Sequence, residues 1–235
     1  MFSLLHQSTL SNLLQNENLL PSYPSSLPYR FYLYGYEYLS VVVRLIVFDG
    51  VYNPSDDSYL LLEAVKDKKK LKALDMGCGA GIIAINLAKQ GCKVTAVDVN
   101  EKAIENTKVN AEINGVDIEV FKSDLFSNVK GRFELITFNP PYLPTEGEDV
   151  AWDGGREGIE VIRKFLKDAH KHLEENGEIY VVMSSLGNTK KIFDEFRKIY
   201  RFDKVLSKRF FFEEISVYRL TTFKNAKGNK QRNEV

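Results

Sequence analysis

The sequence lacks most of what would tie it to an oxidising compartment, a metal or a membrane. Its two cysteines, Cys78 and Cys92, form no CxxC pair. That excludes a disulfide framework and a cysteine-built zinc site, and it suits a reducing cytosol. The three histidines, His6, His170 and His172, make no ligand cluster. Charge of one sign is also missing: 32 Lys+Arg balance 32 Asp+Glu, for a formal net charge of zero. The simplest electrostatic case for a nucleic-acid partner is thereby removed, although a local basic patch would still be compatible with it. No apolar run is long enough to cross a membrane, since the best candidate, 41–48, is short and broken by Arg44. The N-terminus has no basic region ahead of an apolar core, so no secretory signal is expected. The expected location is the cytoplasm.

What is present fits one domain with extras: 235 residues, 44% hydrophobic and 27% charged. Residues 1–45 read as an irregular N-terminal extension, with PSYPSSLPYRFYLYGYEY at its centre and a short helix at 3–15. This extension is either extra residues from an upstream start codon or a small segment facing the substrate. The domain itself is expected over 46–222. Within it, strand-like runs at 71–75, 93–98, 118–122, 133–138 and 178–183 alternate with helical segments at 56–67, 80–90, 100–114, 157–175 and 188–200. Strands separated by helices of that length predict βαβ units, a parallel sheet and an α/β fold with both faces covered. Two last strands, near 202–209 and 214–222, have a connection short enough for an antiparallel pair. The polar tail 223–235 is expected to be disordered.

The segment KALDMGCGAGIIAINLAKQG runs strand, glycine turn, helix, with Gly77, Gly79 and Gly81 spaced GxGxG. Glycines there permit a tight turn and close approach of backbone N–H groups to a ligand. Three acids follow successive strands: Asp75, Asp98 and Asp124. Asp98 can accept both hydroxyls of a ribose, and Asp124 is placed for an adenine amino group. Dinucleotide enzymes use GxGxxG and put a pyrophosphate at the helix start, where Asp75 would repel it. A carboxylate there suits a cation, so the electrostatics favour S-adenosyl-L-methionine, with its ammonium and sulfonium, over NAD. Each acid alone is equally an ordinary strand-end carboxylate.

The fourth strand ends in ITFNPPYLP. Pro140 and Pro141 supply no N–H and hold φ fixed, and Asn139 is pushed to an extended conformation by the proline after it. The resulting corner shows carbonyl oxygens and no donors. The Asn139 side chain and the Pro140 carbonyl can take the two hydrogens of a planar NH2 group, and Tyr142 can stack on its plane. Carboxamides and the exocyclic amines of adenine and cytosine have that shape. Holding both N–H bonds orients a poor nucleophile for in-line attack on a methyl group. The plain structural alternative is a rigid turn with a packed tyrosine.

DMGCGAG with VDVN resembles the cofactor motifs of class I methyltransferases, and NPPY resembles the catalytic motif of those acting on amide or exocyclic amino nitrogens. VYNPSDDSYLLLEAV (51–65) and AWDGGREGIEVIRKF (151–165) resemble HemK-like N5-glutamine methyltransferases of the short archaeal and eukaryotic branch, over about 45–222. The resemblance implies a Rossmann-like, seven-stranded, mostly parallel sheet with its last strand antiparallel. It implies a protein methylase acting in translation termination, on the GGQ glutamine of a class I release factor. Asn139, Pro140 and Tyr142 would meet the target amide. Asp75, Gly77, Asp98 and Asp124 would surround the cofactor, with Tyr52, Pro54 and Ser58 closing over it. A small zinc-binding activator subunit would dock beside the third strand, where Ile118, Val120 and Phe121 could meet it or simply pack against a helix. Competing readings are a DNA or RNA amino-methyltransferase, which would need a recognition domain or a basic face, a protein-lysine methyltransferase, and a non-catalytic cofactor-binding scaffold. Trp152, Gly154 and Gly155 either order the substrate mouth or start the following helix.

Overall fold

A computed structural model describes residues 29–34, 43–69, 71–144 and 155–223. The expected helix at 3–15, most of the extension and the tail, Trp152 and Gly154 lie outside these residues. The elements in order are β1 (Tyr29–Tyr34), β2 (Val43–Phe48), α1 (Asp56–Val65), β3 (Lys72–Met76), α2 (Ile82–Lys89), β4 (Lys93–Asp98), α3 (Glu101–Ile113), β5 (Ile118–Lys122), β6 (Phe133–Phe138), α4 (Glu160–Ala169), β7 (Leu173–Ser184), α5 (Thr189–Phe196), β8 (Tyr200–Arg209) and β9 (Glu214–Thr222).

Seven strands form one sheet in the order β5-β4-β3-β6-β7-β9-β8. All neighbours pair parallel except β9, which runs against both β7 and β8. The fold is the expected Rossmann-like α/β sheet with its last strand antiparallel. Both faces are apolar because consecutive strand residues point to opposite sides. Leu135 and Val182 pack with Leu61, Ile83 and Ile104 of α1–α3, whereas Ile136 and Val181 pack with Phe165 and Phe196 of α4 and α5. Chain order reverses between β3 and β6, so the crevice beyond their C-terminal ends is where a ligand is expected.

Three differences from the periodicity have causes in the tertiary structure. The helix predicted over 157–175 stops at Ala169, because the Tyr200 hydroxyl donates to Leu166 O at 2.7 Å and accepts from His170 N at 2.8 Å. The helix predicted over 188–200 stops at Phe196, because Tyr200 already pairs with Thr222 in the sheet. The third difference is a strand, β2, that crosses the position where the extension was expected to end. It pairs antiparallel with β1 in a separate ribbon, and Leu45 is fully buried.

Apart from β1, what holds β2 comes from far along the chain. Three asparagines one turn apart, two on α3 and the third its C-cap, grip alternate residues of the strand. Asn114 exchanges hydrogen bonds with the backbone N–H and carbonyl of Arg44. Asn110 does the same at Ile46, and Asn106 accepts from Phe48 N and donates to Ile46 O. A helix face with a four-residue repeat thus serves as a neighbouring strand, because side-chain amides carry the same donor and acceptor as a peptide.

Candidate active site

Beyond the ends of β3, β4, β5 and β6 lies a cavity of about 410 Å³, roofed by the segment from Val51 to Ser58. That is within the size range of small-molecule sites. Every residue assigned above to the cofactor or to the target nitrogen lines it except Gly81: Tyr52, Pro54, Ser58, Asp75, Gly77, Gly79, Asp98, Asp124, Asn139, Pro140 and Tyr142. Gly81 instead starts α2, with φ at 87°, and a Cβ there would sit 3.0 Å from Thr107 Cγ2 and 3.3 Å from its backbone. The site residues enter the sheet edge through local rules: strand ends deliver the acids, and the glycine turn exposes backbone amides.

Asp75 is 2% exposed. The Thr137 hydroxyl of the neighbouring strand donates to its Oδ1 at 2.8 Å, and Oδ2 is buried with no partner. Burial pushes its pKa up to about 7, with the hydrogen bond from Thr137 opposing the rise. A buried carboxylate with one spare oxygen beside the glycine turn is a seat for a cation. Asp98 is differently placed. It accepts from Gly79 N at 3.0 Å and Asn100 N at 2.9 Å, so it braces the turn with one lone pair on each oxygen. Burial still raises its pKa, and the remaining lone pairs can accept hydroxyls. Asp124 is exposed at the rim. Its loop is held by Ser123, whose hydroxyl donates to Leu125 O at 2.6 Å and accepts from Asn128 N at 3.1 Å, with Leu125 at φ 47°.

On the opposite wall, Asn139 Nδ2 donates to Ser58 Oγ at 3.4 Å, while Oδ1 is buried without a partner. Tyr142 donates to Asp57 Oδ2 at 2.9 Å, and Tyr52 reaches both carboxylate oxygens of Asp57, at 2.9 and 2.8 Å. Burial, then the Asp57 charge, raises the pKa of both phenols, so both remain protonated donors. Two functional side chains are absent from the motif reading. Asp57, 3% exposed, looks in sequence like one of two ordinary first-turn acids of α1. Thr137 looks like one more strand residue. The only local signal was position: Asp57 sits directly before Ser58, and Thr137 two residues before Asn139.

Among the described residues no helix is long and apolar enough to cross a membrane. The methyltransferase small domain family model matches residues 50–209. A Methanocaldococcus jannaschii protein named provisionally as a protein N5-glutamine methyltransferase is 38% identical over 165 residues, covering 67% of this chain and 84% of its own. The ribosomal RNA small subunit methyltransferase C of Salmonella typhi is 34% identical over 172 residues, 72% of this chain and 46% of the relative, so the chain spans under half its length. Among solved structures, the E. cuniculi Mtq2–Trm112 complex, described as methylating the eRF1 translation termination factor, superposes with TM-score 0.61 at 23% identity, covering 74% of this chain and 99% of that one. The T. thermophilus 16S rRNA N2 G1207 methyltransferase, in complex with AdoMet and guanosine, gives TM-score 0.67 at 21% identity, covering 86% and 52%. At these identities the two structures speak for the fold.

Proposed function

The chain belongs to the methyltransferase small domain family and uses S-adenosyl-L-methionine, and on that premise we propose that it methylates the side-chain nitrogen of a protein glutamine, the GGQ glutamine of a class I translation release factor. One observation carries this reading: the Asn139 carbonyl oxygen, in the wall facing the glycine turn, is buried and unpaired. An acceptor is left without a donor, at a cost of about 1–3 kcal/mol unless a ligand supplies one. The two hydrogens of a carboxamide would be shared between Asn139 Oδ1 and the Pro140 carbonyl, with the Tyr142 ring against the amide plane. On the other side, Asp75 Oδ2 would take the cofactor's ammonium and Asp98 its ribose hydroxyls. Asp124 would take the adenine amine, and Tyr52, Pro54 and Ser58 would cover it. The bound cofactor supplies a methyl group on a sulfonium. The nitrogen–carbon bond forms as the carbon–sulfur bond breaks, and the amide proton leaves to water.

The name of the M. jannaschii relative supports the glutamine, and the E. cuniculi neighbour supports the release factor and a small activator. Strand β5 is the outer strand of the sheet, and its half-buried Ile118, Val120 and Phe121 are where we place a zinc-binding activator. A second reading, methylation of a base amine in RNA, draws on the Salmonella relative. The surface beside the mouth does not favour it. Toward this end of β8, Lys204 pairs with Glu214 and Lys208 with Asp56. At the adjoining hairpin tip, Phe211 and Phe212 are 92% and 83% exposed. Two exposed aromatic rings at this place suit a protein surface.

The test is transfer of labelled methyl to purified release factor, to the same factor with its GGQ glutamine replaced by alanine, and to ribosomal RNA, with and without an activator subunit. Label is expected on the unaltered factor alone, and Asn139→Ala should remove it while the cofactor still binds. Label on RNA alone overturns the substrate. Cofactor binding with no transfer to any of the three identifies a scaffold instead.

A further inference from the structure

The orientation of the Asn139 amide is set by a residue outside the proline corner. A serine hydroxyl has one proton. That of Ser58 lies on Asp57 Oδ1 at 3.1 Å, where a buried carboxylate accepts and cannot donate. Toward Asn139, Ser58 Oγ is therefore restricted to accepting. The amide meets it with Nδ2, at 3.4 Å, which turns Oδ1 away from Ser58, where it is buried with no partner. With the amide reversed, Oδ1 would face Ser58 Oγ with no proton between them, and the NH2 would be offered to the target instead. The site would then select an acceptor rather than a donor. The same carboxylate takes the Tyr142 hydroxyl at 2.9 Å and the Tyr52 hydroxyl at 2.8 Å. Ser58, Tyr142 and Tyr52 thus all hang from one side chain that is itself 3% exposed.

We propose that Asp57 is a positioning residue that sets the hydrogen-bond polarity of the target site: through Ser58 it holds the Asn139 carbonyl toward the target nitrogen, and through the Tyr142 hydroxyl it fixes the ring beside it. The proposal rests on the reading of Asn139 as the acceptor for a target N–H. A carboxamide offers one acceptor oxygen where the carboxylate offers two, so Asp57→Asn cannot hold the Ser58 and Tyr142 hydroxyls together, and either the Asn139 amide or the Tyr142 ring loses its anchor. Misorientation of a reacting group by this much lowers turnover by about 100-fold.

The experiment has two arms. In the first, ligand-free protein labelled with 15N-asparagine is compared by NMR with Asp57→Asn and Ser58→Ala, using Asn139→Asp to assign the signal. In the native protein the Asn139 NH2 should exchange slowly and show contacts to the Ser58 side chain. In both variants exchange should speed up and the contacts should vanish. In the second arm, methyl transfer to the release factor is measured. Asp57→Asn and Ser58→Ala should lower kcat about 100-fold with the cofactor KM within about threefold, and Ser58→Thr should recover most of what Ser58→Ala loses. Unchanged exchange and unchanged kcat in Asp57→Asn overturn the proposal, as does a kcat loss that Ser58→Thr does not recover. Should Asp57→Asn fail to fold, Ser58→Ala and Ser58→Thr together still support or overturn it. If the native enzyme transfers methyl to no glutamine, the substrate reading falls. The NMR arm still decides the orientation of Asn139.

Discussion

Thr137 and Asp75 face each other across β3 and β6, and the Thr137 hydroxyl satisfies one carboxylate oxygen while the other stays buried and unpaired. The pair sits where the sheet changes direction, so this carboxylate is held half-satisfied at the point where a ligand enters.

Cofactor affinity should therefore depend on Asp75 titration. With its pKa pushed up to about 7 in the ligand-free protein, Asp75 must lose its proton to seat a cation. The dissociation constant should rise as pH falls below 7, by at most about tenfold per pH unit. Asp75→Asn should bind more weakly at pH 8 and lose this dependence, as calorimetry from pH 5.5 to 8.5 would reveal. An equally steep profile in the variant would assign the titration elsewhere.

The same carboxyl predicts a stability effect of fixed sign. Its folded value lies above the unfolded value of about 3.9, so the ionised form opposes folding. The protein is spared this penalty below pH 4 and bears it in full above pH 7. Asp75→Asn should raise the melting temperature of the ligand-free protein at pH 8 and change it little at pH 4.

Asn110 holds Ile46 of β2 through its N–H and carbonyl, and it also donates to Ala80 O in the glycine turn, all at 2.8 Å. Asn110→Ala should cost roughly 2–4 kcal/mol, because buried backbone groups lose their partners. Asn114→Ala, at a half-buried position, should cost less. Urea unfolding of both variants gives the comparison, and a smaller loss for Asn110→Ala would contradict the ladder.

Gly81→Ala should destabilise by about 1–2 kcal/mol through its left-handed backbone alone, with further loss from the approach to Thr107. Both the melting temperature and cofactor affinity should drop. Gly79→Ala, with nothing within 4 Å of its Cβ position, should cost only the backbone term to stability while blocking part of the cavity.

Phe211 and Phe212 stack edge to face at 4.5 Å on the hairpin between β8 and β9. The hairpin is tied to the mouth by Lys208 on Asp56 and Glu213 on Ser184. If the protein substrate docks there, replacing both rings by alanine should raise its KM about tenfold or more with no change in cofactor affinity. An unaltered KM would place the substrate surface elsewhere.

By itself the sequence determined the sheet, the glycine turn, the acids at three strand ends and the proline corner. Each of these is written within a few consecutive residues: alternation makes a strand, glycine permits a turn, proline removes a donor. Only the tertiary structure decided what joins them. Asp57 meets Tyr142 from 85 positions away, and Asn114 meets Arg44 from 70. The asparagines repeat every four residues, but neither pairing names its partner in the sequence, because a side-chain amide or carboxylate meets whichever unpaired groups folding brings to it. The same holds for β2, which reads as irregular chain until α3 offers it a row of amides. It holds too for Asn139, whose identity was legible but whose free oxygen follows from a proton on Ser58.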